Sequence, residues 1–161
     1  MHFTASPAGR PGQHPPLPRR VRTENARISA IDLPSADPAD EGWYTAHVYR
    51  WAWDHVDERA GCADRVARIA VALVANAHRW TRSGLPQGQC ELRIHRCRFD
   101  IAVSVTDQGT VPAPSGVCTF PVAGPGGGGL RTVDDLALYW DWQGGAGTPI
   151  TVRALVDRHP R

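Results

Sequence analysis

An asparagine at position 76 interrupts the apolar run "VALVANAHRW" (71–80). Its side-chain amide competes for backbone hydrogen bonds, so it is a poor choice for a helix interior. Its oxygen suits a hard cation such as Mg²⁺, which is usually shared with substrate phosphates. Ala72, one helical turn earlier on the same side, offers no chemistry. Three further groups follow along the chain. "DQG" (107–109) closes an alternating apolar run. A carboxylate there, Asp107, can accept a hydrogen bond from a purine amino group, and Gly109 lets a ring approach the backbone. "GPGGGGL" (124–130) precedes a helical run. A Gly-rich helix N-terminus offers free N–H groups and a positive dipole end to phosphates. "TPITV" (148–152) opens the last extended segment. Each group has a plain structural reading when taken singly: an Asn bonded to backbone, a turn, a loop. Their order along the chain is the more specific signal.

The elements that must position these groups follow from periodicity. Residues 26–33 alternate weakly and predict a first strand, and 34–42 a loop with Asp40 or Glu41 near a helix start. Trp43 to about Arg59 is helical, with Tyr44, Val48, Trp51, Ala52 and His55 on one face. Tyr49 and Trp53 fall off that stripe. They read either as aromatics filling a groove or as a partner surface. From Ala63 to about Trp80, the residues Val66, Ile69, Leu73, Val74, Ala77 and Trp80 form a continuous stripe. The Gly and Pro of "SGLPQGQ" (83–89) end it. "CELRIHR" (90–96) and "RFDIAVSVTD" (98–107) predict an antiparallel hairpin, with Leu92, Ile94, Phe99, Ile101, Val103 and Val105 inward.

Residues 110–128 hold much Pro and Gly and little periodicity, and a loop that long is usually functional or mobile. "GLRTVDDLALYW" (129–140) is helical, and "YWDWQ" (139–143) and "TPITVRALV" (148–156) predict two more strands. This order predicts an α+β two-layer sandwich: a mixed, mainly antiparallel sheet covered on one face by about three helices. Residues 24–158 make one domain behind a Pro/Arg-rich tail, 1–23, expected to be disordered.

Composition excludes several classes. A net charge of +2 gives no case for nucleic acid or an acidic membrane as partner. All 18 Lys+Arg residues are Arg, which removes phosphate-loop ATPases and lysine Schiff-base chemistry. The N-terminus has no apolar core and no run approaches the roughly 20 residues of a membrane span, so a cytoplasmic location is expected. Cys62, Cys90, Cys97 and Cys118 form no CxxC pair and should be reduced there. On a strand Cys90 faces away from His95 and Cys97, against a zinc site. No G-x-S-x-G surrounds a serine.

The ordered set resembles the GHKL ATP-binding superfamily of gyrase, heat-shock chaperones and histidine kinases. It is similar above all to the anti-sigma-factor serine/threonine kinases and their single-domain regulatory relatives. The family's E-L-V-x-N-A-x-x-H stands here as "ALVANAHRW" (72–80), its D-x-G as 107–109 and its G-x-G-L as 127–130. "RTVDDLALYWDW" (131–142) looks like the helix and strand that follow, with Trp140 in the Trp slot. The likeness covers about residues 43–157.

It implies a Bergerat-type fold binding ATP and Mg²⁺. Asn76 would hold Mg²⁺ through the phosphates, Asp107 the adenine amino group, and Gly109 would lie beneath the ring. Gly127 and Gly129 would meet the phosphates, and Thr151 would help to hold the adenine through water. It also implies a protein partner such as a sigma factor or anti-anti-sigma protein, and a homodimer. Two positions depart from the family: its general-base Glu is Ala72, and its His is Trp80. No other carboxylate replaces the Glu. Asp64 lies twelve residues before Asn76, roughly 18 Å along a helix. Glu91 and Asp100 lie on the hairpin, and Asp134 and Asp135 would repel phosphate. The expectation is a nucleotide-dependent protein-binding switch with weak or no catalysis, whose lid, 110–128, is ordered by ATP and Mg²⁺. An active serine/threonine kinase and a scaffold without nucleotide are the alternatives.

Overall fold

The computed structural model describes residues 22–25, 27–110, 128–145 and 147–160. Alternating segments become strands and 3.6-periodic segments become helices. The elements are β1 (Arg22–Asn25), β2 (Ile28–Pro34), α1 (Glu41–Val56), α2 (Ala60–Trp80), β3 (Gln89–Arg96), β4 (Asp100–Thr106), α3 (Gly128–Leu136), β5 (Tyr139–Gln143) and β6 (Thr151–Asp157). Six strands form one sheet in the order β1-β2-β3-β4-β6-β5. The register gives each strand one buried face. Leu92 pairs with Val105 and Ile94 with Val103, while Val103 and Val105 pair in turn with Ala154 and Val152. All six are buried. The odd-numbered partners Glu91, Arg93 and His95 lie on the other face.

The central helix is α2. It packs on β3, β4 and β6 and on both other helices. Its stripe from Cys62 through Val66, Ile69, Leu73 and Ala77 is buried, and small Ala residues at 63, 67, 70 and 72 let the strands come close. α1 turns directly into α2 because Asp57 adopts a left-handed backbone, φ 53°. The Tyr44 hydroxyl donates to the Pro34 carbonyl at 2.8 Å, fixing the start of α1 to the end of β2. Its ring meets that of half-buried His78 on α2 at 5.3 Å. Burial holds His78 below the usual imidazole range.

Several expectations are corrected. Every strand pairing among the described residues is antiparallel, so the sheet is not mixed. β1 begins at Arg22, inside the stretch expected to be a disordered tail; residues 1–21 lie outside the described residues. Phe99 is 69% exposed rather than inward, because it sits in the turn before β4. α3 stops at Leu136 rather than running to 140. There the Leu138 amide donates to the Leu155 carbonyl, and the sheet takes over the chain. Trp140 therefore belongs to β5, and its Nε1 donates back to Asp134 on α3 at 3.2 Å.

Tyr49 and Trp53 are partly buried. Both pack against the core, their rings stack at 6.0 Å, and the Tyr49 hydroxyl donates to Asp64 on α2 at 2.7 Å. They tie α1 to α2. Replacing both by Ser is expected to destabilise the fold by about 2–3 kcal/mol in denaturant unfolding. A loss under about 0.5 kcal/mol would show that the aromatic pair contributes nothing to the α1–α2 contact.

Candidate functional site

The D-x-G turn is built where β4 ends. Alternation along β4 carries past Val105 and Thr106, so that Asp107 turns inward beside Ile150 while Thr106 points out. Asp107 is buried and closes a backbone-like ring with Ile150. Its amide donates to the Ile150 carbonyl at 2.9 Å, and its Oδ1 accepts from the Ile150 amide at 3.2 Å. The same Oδ1 accepts from the Gly109 amide at 2.7 Å, an Asx-type turn. One carboxylate oxygen therefore holds the turn. The other has no hydrogen-bond partner among the described residues. Burial pushes the Asp107 carboxyl above its ordinary range, and the two backbone donors partly offset this.

Gly109 is glycine for two reasons. Its φ is +90°, and a Cβ there would lie 2.6 Å from the Thr148 carbonyl oxygen. The turn is tied on its other side to the end of α2. The Arg82 amide donates to the Gly109 carbonyl at 2.9 Å, and the Gln108 amide donates to the Ser83 hydroxyl at 3.0 Å. Thr81 and Thr110 form a single antiparallel bridge. The Thr81 hydroxyl donates to the Ala77 carbonyl at 2.7 Å and accepts from the Ser83 amide at 3.2 Å, capping α2 and starting the next turn. Gly84 closes this loop against α2, where a Cβ would fall 1.6 Å from the His78 carbonyl oxygen.

Asn76 rides on the same helix, five residues before Thr81, or about 7.5 Å along the axis. It is half-buried, and its side chain has no hydrogen bond to a described residue. Ala72 is 7% exposed, in the core cluster. The structure thus joins the segment bearing Asn76 to the segment bearing Asp107 and Gly109. Thr151 is placed differently. It faces the outer side of β6, away from Asp107, and its hydroxyl shares a 2.8 Å hydrogen bond with that of Thr106. Gly129 lies in the first turn of α3. Gly127 and residues 111–127 of the expected lid lie outside the described residues. Trp80 is 47% exposed at the end of α2, with the Arg79 guanidinium over its ring at 5.7 Å.

Three carboxylates named from the sequence are engaged in contacts of their own. Asp64 holds Tyr49 and Arg68, Glu91 holds Arg93 at 3.1 Å, and Asp134 holds Trp140. Among the described residues no three His, Cys, Asp or Glu side chains gather as a metal site. Cys62, Cys90 and Cys97 are free thiols. Burial raises Cys90 to about 12, which keeps it protonated and unreactive. No described helix is long and apolar enough to cross a membrane.

Thr81, Ser83 and Gly84 were not legible as parts of a site. The signal for them, "TRSG" after a periodic helix, marks only a cap and a turn. No protein-family model matches the chain, and no curated protein matches it.

Proposed function

We propose that this chain is an ATP-binding regulatory protein of the anti-sigma-factor kinase type, a switch that couples nucleotide to a protein partner with weak or no catalysis. The observation that carries the reading is Asp107. One of its oxygens is spent on holding the turn and the other is left for an amino group, in a turn that Gly109 lets pack closely against the Thr148 backbone. The donor set fits the nucleotide. A buried carboxylate selects an amino-bearing base, and a lone amide oxygen at Asn76 suits a Mg²⁺ that arrives on the phosphates. Gly127 and Gly129 would face those phosphates at the start of α3. The partner is of the sigma-factor or anti-anti-sigma kind, and the setting is cytoplasmic.

Ala72 separates a switch from a kinase. A positioned general base contributes about 10²–10⁴-fold in rate, and Asp64, Glu91 and Asp134 are engaged elsewhere. Calorimetric titration with Mg·ATP is expected to show binding that weakens about tenfold in Asn76→Ala only when Mg²⁺ is present. Incubation with labelled ATP and a partner is expected to give slow turnover at most. Absence of binding at millimolar Mg·ATP would leave the scaffold reading. Fast turnover that Asn76→Ala leaves unchanged would favour the kinase and overturn the cation role.

A further inference from the structure

Three hydroxyls meet where the end of α2 touches the D-x-G turn, and two of them are satisfied. Thr81 donates to the Ala77 carbonyl and accepts from Ser83, and Ser83 accepts from the Gln108 amide. The third, Thr110, is 6% exposed and its Oγ1 has no hydrogen-bond partner among the described residues. It is the one buried hydroxyl so placed among the described residues. The backbone offers it no way out, because Thr110 is held by its bridge to Thr81 and follows Gly109 directly. A buried hydroxyl without a partner opposes folding, so its presence calls for a partner that binding brings in. Valine has the same shape and would bear no such cost.

The other buried atoms without partners include those of Glu58, Arg65 and Arg158, which belong to a separate ion cluster. There Arg65 and Arg158 are tied to the Asp157 and Cys97 carbonyls, at the end of β6 opposite Thr151. Only Thr110 adjoins the candidate site. We infer that the Thr110 hydroxyl is a nucleotide contact, a second polar anchor beside Asp107 that hydrogen-bonds the polar edge of the bound purine nucleoside. A hydroxyl both donates and accepts, so it meets either a ring nitrogen or a sugar hydroxyl. This inference rests on the ATP-binding reading and adds to it a residue that exchanges stability of the free protein for affinity.

The test uses the full chain with Thr110→Val and Thr110→Ser, each measured by thermal unfolding without nucleotide and by calorimetry with Mg·ATP. Thr110→Val is expected to raise the unliganded melting temperature by about 2–4 °C. The same variant is expected to weaken ATP binding about tenfold. Thr110→Ser keeps the hydroxyl and should bind within about twofold of the natural protein. A Val variant that binds ATP normally would overturn the inference. So would one that melts lower than the natural protein, because the hydroxyl is then satisfied in the free protein. If the natural protein itself binds no ATP, the reading beneath the inference fails first, and that result is distinct from normal binding by the variant.

Discussion

Asp107→Asn is expected to cost about 30- to 100-fold in ATP affinity and almost nothing in folding. The reason is a division of labour between two oxygens. Oδ1 accepts from the Gly109 and Ile150 amides, and an asparagine oxygen can do the same. The asparagine NH₂ then occupies the place of the second carboxylate oxygen. It would point a donor at the base's own amino group, where the natural protein offers a charged acceptor.

The pH dependence follows with a definite sign. Burial raises the folded Asp107 carboxyl above its ordinary 3.8, so the fold favours its protonated form. This group therefore contributes most to stability at low pH, and that contribution is lost as pH rises from the unfolded to the folded value. Asn removes that cost, and the variant should be at least as stable as the natural protein near neutrality. If ATP binds at Asp107 as proposed, it needs the ionised form, so affinity in the natural protein should fall as pH is lowered through the same window, and the variant should lack this fall. Calorimetry at several pH values checks both arms. Unchanged affinity in Asp107→Asn would remove Asp107 from the site.

Gly84→Ala should produce the largest structural effect. The added Cβ would lie 1.6 Å from the His78 carbonyl oxygen and 2.6 Å from its carbon, both backbone atoms of α2 that cannot swing aside. The loop must move, and its bonds from Arg82 and Ser83 to the Gly109 and Gln108 backbone move with it. A loss of about 3 kcal/mol in denaturant unfolding is expected. Nucleotide affinity should fall as well, although Gly84 is not placed in contact with nucleotide. Gly61→Ala is the control. It lies in α2 with nothing within 4 Å of the added Cβ, and should stabilise by about 0.5–1 kcal/mol. A Gly84→Ala protein as stable as the natural chain would show that this loop does not brace the turn.

The sequence by itself determined the elements whose residues repeat strongly. The buried stripe of α2 and the alternation of β3 and β4 stand where periodicity puts them, because burial of one face is decided locally by residue spacing. It also marked Asp107 and Gly109, since a carboxylate and a glycine two residues apart at a strand end make a turn of their own. Where two local signals overlapped, the sequence did not decide. "LALYW" has helical spacing and strand-forming aromatics together, and only the Leu138–Leu155 bond to β6 ends α3 at Leu136.

The tertiary structure alone decided the rest. Tyr49 and Trp53 lie off the helix stripe, yet Tyr49 is tied to Asp64 on the neighbouring helix and Trp53 stacks on Tyr49, so that both pack partly against the core. Thr151 reads as a site residue by its motif, but the register of β6 against β4 turns it to the outer face toward Thr106. Thr81, Ser83, Gly84 and Thr110 acquire roles only because the end of α2 meets a turn some 26 residues later in the chain. Contacts of that separation depend on which backbone groups remain unpaired at each element's end, and no local period encodes them.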